Sequence, residues 1–446
     1  MIGYLLNCVY LAILALASPG LIYAAIRKGK YREGFAEKLL GRVPRRGGEA
    51  KCVWLHAVSV GEVKVLVPLV RELAGRRPDW EVVISTTTRT GRELARQCFP
   101  QHTTFYCPMD FTWSVRTALR RVRPDYLVLA ELELWPNLIR LAHGRGAKVA
   151  VINGRLSDKS FPGYRRIRRL IGWLLRQLHL IACQNETYAA RFRELGATDA
   201  ALCVTGSIKF DGLESDRHNP ATLALRRAIG VGPEDVVLVA GSTHASEETA
   251  AVEVYRELAT EYPQLRLVLV PRHPERFVDV ARELDASGLS WQRRSELKGD
   301  DRGDDSGAKE DKARILLVDS VGELSAVWGL ADIAFVGGSL IPHGGQNMIE
   351  PAAYGAAVCF GLHTRNFQDV VANLLAQRAA VVVEDRQALA QFVRRGLSEP
   401  SFLAEIGARA AAVVAAGPGA TKVTVDRLLN LEPSAESTSI RQREAA

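Results

Sequence analysis

The chain has 446 residues, 47% of them hydrophobic and 24% charged, and a formal net charge of +8. That length suits two domains, and that balance excludes a disordered or low-complexity protein. The positive surplus calls for an anionic partner; with only 7% aromatics, not interleaved with the basic residues, it favours anionic lipid or a phosphorylated substrate over nucleic acid.

In chain order, the first element is apolar. No residue from Ile2 to Ile26 is charged, and Asn7 and Ser18 are the clearest polar interruptions. A helix of that length can span a bilayer. Arg27, Lys28, Lys30 and Arg32 then form a stop-transfer flank that keeps the following chain cytoplasmic. No Lys or Arg precedes the run, which speaks against a cleaved signal peptide and leaves a spanning or an interfacial helix. Residues 1–27 are therefore expected to be a membrane anchor.

Short apolar runs then alternate with amphipathic segments. "CVWLHA", "EVVIST", "DYLVLAE", "AKVAVIN" and "LHLIACQ" read as strands, with helical patterns at Glu62–Gly75, Arg89–Cys98 and Thr112–Val122 between them. This alternation predicts βαβ units and a parallel sheet. "YRRIRRLIGWLLRQL" reads as one basic amphipathic helix, suited to an anionic membrane surface or to core packing with a charged outer face. The polar stretch Gly212–Pro220 has no period and predicts a linker. A second series follows: "VVLVAGS", "LRLVLVPRH", "RILLVDS", "ADIAFVGGS", "AAVCFG" and "AAVVVED". Ser295–Lys312 has the composition of a solvated loop, and the tail after Leu431 lacks a hydrophobic pattern. The expected division is 28–212 and 213–431, with a disordered tail at 432–446. Seven scattered cysteines without a C-x-x-C pair read as buried free thiols.

Open parallel sheets bind ligands beyond the carboxyl ends of their strands, and the most polar turns of this chain fall there. "WLHAVSVGEV" places Glu62 at the start of a helix. Ser59 and Glu62 fit a capping box, and Glu62 equally fits a general base. "LAELELWPN" sets Glu131 and Glu133 two residues apart, on one face of an extended chain, where they repel unless cations or hydroxyls meet them. "NGRLS" ends the next strand with Arg155. In the second series, "LVLVPRHPERF" ends in Arg272 and His273, and Arg272 suits phosphate. "FVGGSLIPHGGQNMIEPAAYG" joins two glycine pairs to a helix expected near Asn347, whose N–H groups could meet a phosphate; Glu350 suits ribose hydroxyls instead. There is no P-loop, no G-x-G-x-x-G after the first strand and no zinc spacing, which favours a metal-independent mechanism.

Together "LHAVSVGE", "ELELWPN", "NGRLS", "QNE", "TGSIKFD", "GSTH", "PRHPERF", "FVGGSL" and "GGQNMIEPAAYG" resemble, in order, the 3-deoxy-D-manno-octulosonic acid (Kdo) transferases of lipopolysaccharide synthesis. The resemblance implies a GT-B fold, two Rossmann-like domains facing a cleft. It implies inverting transfer of Kdo from CMP-Kdo to a lipid A precursor, with no cofactor, at the cytoplasmic side of the cell inner membrane. It makes Glu62 the proton acceptor. It assigns CMP contacts to Pro271, Arg272, Val321, Gly322, Glu323, Asn347, Met348, Ile349 and Glu350. Glu131 or Glu133 is implied for the acceptor, with Ser59 and Arg155 beside them. Val321 and "NMIEP" depart slightly from the family's usual Met-Gly-Glu and Asn-Pro-Leu-Glu. Another GT-B enzyme using a UDP-sugar, and an inactive lipid-binding module, are the competing readings.

Overall fold

The computed structural model describes residues 2–28, 33–297, 313–417 and 419–431. The tail expected at 432–446, most of the charged 295–312 loop, and Lys30 and Arg32 of the basic flank lie outside the described residues.

Among the described residues, fourteen strands form two separate sheets. The first contains β1 (Cys52–His56), β2 (Glu81–Thr86), β3 (Thr103–Tyr106), β4 (Tyr126–Ala130), β5 (Lys148–Gly154), β6 (Leu180–Cys183) and β7 (Leu202–Val204). Their order is β3-β2-β1-β4-β5-β6-β7, and every pairing is parallel. The second contains β8 (Val236–Thr243), β9 (Leu265–Pro271), β10 (Trp291–Arg293), β11 (Ile315–Leu317), β12 (Ile333–Val336), β13 (Ala357–Phe360) and β14 (Ala380–Val382). It runs β10-β11-β9-β8-β12-β13-β14, again all parallel.

The central strands are continuous apolar runs because both faces of each sheet are covered by helices. In β1, Trp54 faces one core with Phe105, Leu127 and Leu129, while Val53 and Leu55 face the other with Ile84 and Val128. Full burial of each such side chain contributes roughly 1.5–3 kcal/mol, which fixes β1 at the centre and leaves its polar turn at the sheet's edge. The strands without an expectation, β3, β7 and β10, are edge strands of three or four residues. Each has a neighbour on one side only, so none needs a long apolar run.

The chain divides into one unit of 1–211 plus 418–446 and a second of 212–417. The expected boundary of 213–431 is thus corrected at its far end. The helix Ala420–Leu429 returns to the first unit, where Val425 and Leu428 join the core of Leu66 and Leu69. The Asp211 carboxylate accepts from Gly419 N–H and Thr421 N–H at 2.6 and 2.5 Å, capping that helix from more than 200 residues away.

Two other expectations change. "YRRIRRLIGWLLRQL" is not one helix; Phe161–Arg166 and Arg168–Leu175 meet at Ile167, whose φ of −110° and ψ of 28° break the helix. The N-terminal segment is a helix, Ile2–Lys28, but among the described residues no helix is long and apolar enough to cross a membrane. Its polar residues are used against the first unit. Asn7 exchanges hydrogen bonds with Thr112, and the Tyr10 hydroxyl donates to Asp110 at 3.0 Å.

Candidate functional site

Rossmann-type sheets open between the strands where chain order reverses. In the first unit these are β1 and β4, and the two acidic turns of the sequence follow them directly. The helix Val60–Arg76 begins after β1 with Glu62 in its first turn. Ser59 is its N-cap residue but accepts no helix N–H. Instead its hydroxyl donates to Glu62 Oε1 at 2.9 Å, and Val58 N–H donates to Oε2 at 2.8 Å. The capping box is therefore reversed: the carboxylate gathers the turn, and the serine serves the carboxylate. Glu62 is 8% exposed. Burial pushes its carboxyl up to about 7, the two hydrogen bonds oppose that, and Glu133 and Glu131 add to it.

Glu131 follows β4 in a left-handed conformation, φ 57°. Backbone strain of that kind in a non-glycine residue costs on the order of 1–3 kcal/mol and persists where neighbours hold it. Here Lys209 holds it, Nζ to Oε1 at 2.8 Å. Glu133 accepts from Trp135 Nε1 at 3.1 Å, and burial raises its carboxyl too. The next helix, Pro136–His143, has no cap of its own; Asp110 accepts from Asn137 N–H and Leu138 N–H at 2.9 and 2.8 Å and fixes where this acidic turn ends.

Lys209 was not visible as a site residue in the sequence. It lies within "TGSIKFD", between two apolar neighbours, and its placement is tertiary. Asn153, fully buried with φ 52° at the end of β5, accepts from Ile208 N–H at 3.1 Å and from the Ser207 hydroxyl at 3.4 Å. That anchors the short turn Ile208–Phe210 carrying Lys209 against Glu131. The first unit thus brings Glu62, Glu131 and Glu133 within electrostatic reach of one another, with Lys209 paired to Glu131. Arg155 Nε donates to the Tyr188 hydroxyl at 3.4 Å.

In the second unit order reverses between β8 and β12. Glu247 links the turns that follow them. Fully buried, its carboxylate accepts from His244, Gly338, Ser339 and Leu340 N–H at 2.7–3.0 Å. Gly337 is required there, because a Cβ would sit 2.5 Å from Ser242 O. The expected nucleotide residues take different parts. Arg272 is exposed at the end of β9, and its guanidinium has no partner among the described residues. Glu323 accepts from Arg294 at 2.9 Å. Gly322 has φ 100°, and Val321 is 80% exposed. The helix expected near Asn347 is a single turn, Ile349–Ala353. Asn347 closes its start, accepting from Ile349 N–H at 3.0 Å and donating to Glu350 at 2.9 Å. Pro271, Met348 and Ile349 are buried, so their side chains serve the core.

Two seven-stranded parallel-sheet units, each with its polar turns at the switch point, are the architecture of the GT-B glycosyltransferases. The UDP-GlcNAc 2-epimerase from Neisseria meningitidis, solved with UDP-GlcNAc, shares this fold at TM-score 0.58 and 14% identity, over 85% of this chain and 100% of that one. The family described as 3-Deoxy-D-manno-octulosonic-acid transferase (kdotransferase) matches residues 32–212. The 3-deoxy-D-manno-octulosonic acid transferase of Haemophilus influenzae is 33% identical over 387 residues, covering 84% of this chain and 86% of that protein. That of Bordetella pertussis is 34% identical over 422 residues, covering 91% and 93%. The chain belongs to the 3-deoxy-D-manno-octulosonic acid transferase family.

Proposed function

We propose that the protein moves Kdo from CMP-Kdo to a sugar hydroxyl of a lipid A precursor in lipopolysaccharide synthesis, with inversion, without a metal, and with Glu62 as general base. The observation that carries this reading is the buried Glu62 carboxyl, raised to about 7 at the switch point of the first sheet. A base works best with an affinity for protons near the operating pH. Glu62 takes the acceptor hydroxyl's proton as the oxygen attacks the anomeric carbon and CMP leaves. Glu131 and Glu133 are suited to the acceptor's other hydroxyls. The second unit holds the nucleotide through Arg272, Glu350 and the backbone at Pro271, 321–323 and 347–349.

The acceptor is an amphiphile, and the reading places the enzyme at the cytoplasmic face of the inner membrane. Leu5, Leu11, Ile13 and Leu16 of the first helix are exposed. Arg165, Arg166, Arg168 and Arg169 line a surface pocket of about 690 Å³. Apolar groups beside basic ones suit an anionic lipid surface.

The test is transfer of radiolabelled Kdo from CMP-Kdo to a lipid A precursor by the purified protein, with and without a chelator. Labelled product that survives chelation is expected. No product with CMP-Kdo intact, or stabilisation of the protein by UDP but not by CMP, would defeat the assignment.

A further inference from the structure

Three histidines from three different turns meet at the switch point of the second sheet. His244 follows β8, His273 follows β9, and His343 sits in the glycine loop after β12. The His244 and His343 rings lie 4.2 Å apart between centroids, tilted by 39°, and His273 meets His244 edge-on at 5.4 Å. Gln346 Nε2 lies 3.5 Å from His244 Nε2.

Two buried carboxylates near this cluster have partners of their own. Glu247 faces backbone N–H groups. Glu248 lies 3.5 Å from Arg276, which also pairs with Asp279 and Glu283. Arg272 has no partner among the described residues, and His273 and His343 are exposed. Packing does not explain the arrangement, because two of the three rings bury little. It is not a metal ligand set either: among the described residues no group of three His, Cys, Asp or Glu is arranged to hold a metal ion. What remains is a patch of donors in which, among the described residues, no carboxylate pairs with any of the three rings. Burial, then His343, His273, Arg272 and Arg276, hold the His244 imidazole down to about 4, so the ring is neutral near pH 7. An arriving anion reverses those electrostatics and favours protonation.

We propose that His244, His273 and His343, with Arg272, form an oxyanion site for an acidic group of the donor, its phosphate or its sugar carboxylate, and that the cluster takes up a proton from solvent as that group binds. The site rests on the reading of the second unit as the donor-binding unit. It adds three residues to the expected nucleotide contacts and makes donor affinity depend on pH.

The test uses full-length wild type, His244→Gln and His343→Gln, each first checked for an unchanged thermal transition. Calorimetry with CMP and with cytidine in two buffers of different ionisation enthalpy reads proton uptake. KM for CMP-Kdo is measured at pH 6 and pH 8. If the phosphate is held, CMP shows more proton uptake with wild type than with either variant, and the variants bind CMP about tenfold more weakly, a loss of about 1.4 kcal/mol; cytidine shows no difference. If the carboxylate is held, CMP binding is the same in all three, and KM for CMP-Kdo rises about tenfold in the variants. Equal CMP binding and equal KM in all three proteins overturns the proposal. Should wild type neither bind CMP nor transfer Kdo, the functional reading fails instead. Inorganic pyrophosphate, followed by the histidine ring signals in NMR, then decides the cluster: unshifted His244 and His343 signals overturn it.

Discussion

Replacing Glu62 by Gln is expected to abolish transfer and at the same time stabilise the protein, but only at neutral and alkaline pH. The folded carboxyl sits at about 7 against an ordinary 4.5. The folded state therefore binds the proton more tightly than the unfolded state, and stability falls as pH rises from about 4.5 to about 7. Holding the ionised form above pH 7 costs at most about 3–4 kcal/mol, taking roughly 1.4 kcal/mol for each tenfold change in proton affinity. Gln keeps an oxygen for Val58 N–H, and the Ser59 hydroxyl can turn to accept from the new amide, so the turn survives. For a unit of this size about 2 kcal/mol corresponds to a rise of roughly 4–8 °C in Tm. Melting curves of wild type and Glu62→Gln between pH 4.5 and 8.5 check this, together with the transfer assay. The difference should be near zero at pH 4.5 and reach its plateau above pH 7. In wild type, kcat/KM should fall as pH drops below about 7, because the protonated carboxyl cannot act as base. A stability gain independent of pH, or a Glu62→Gln enzyme with full activity, would refute the reasoning.

Lys209→Met should leave Glu131 without its cation, lower transfer at least about tenfold, about 1.4 kcal/mol of barrier, and move the acid limb of the wild-type pH profile upward; a pH–rate profile reads both. Asn153→Ala should destabilise by about 2–4 kcal/mol in urea, because a buried N–H loses its acceptor and alanine is strained at φ 52°; Asn153→Gly should recover the strain but not the lost acceptor. Glu247→Ala should cost at least about 3 kcal/mol and remove CMP binding, since four N–H groups of two loops lose one acceptor; Glu247→Gln should cost less, because its one oxygen still accepts two of the four while its amide faces the other two, and should raise KM for CMP-Kdo more than it lowers kcat.

Local chemistry made much of this protein readable from the chain alone. Strands buried on both faces must be apolar throughout, so all eleven expected runs are strands, and the glycine and carboxylate turns at their ends mark where a ligand can approach. Glu62, Arg272 and the glycine loop could be singled out as candidates for that reason, while the role of base came to Glu62 only through the family resemblance. Tertiary structure decided what depends on distant partners. The edge strands β3, β7 and β10 take their form from a neighbour. Ala420–Leu429 belongs to the first unit because Asp211 and the core around Leu66 hold it. Met348 and Ile349 are core residues because a one-turn helix points them inward. The pairing of Lys209 with Glu131, the four-amide grip of Glu247 and the meeting of His244, His273 and His343 join residues from separate turns. No periodicity encodes such meetings, because sequence patterns report a residue's own backbone and burial, whereas electrostatic partners are chosen by the folded sheet.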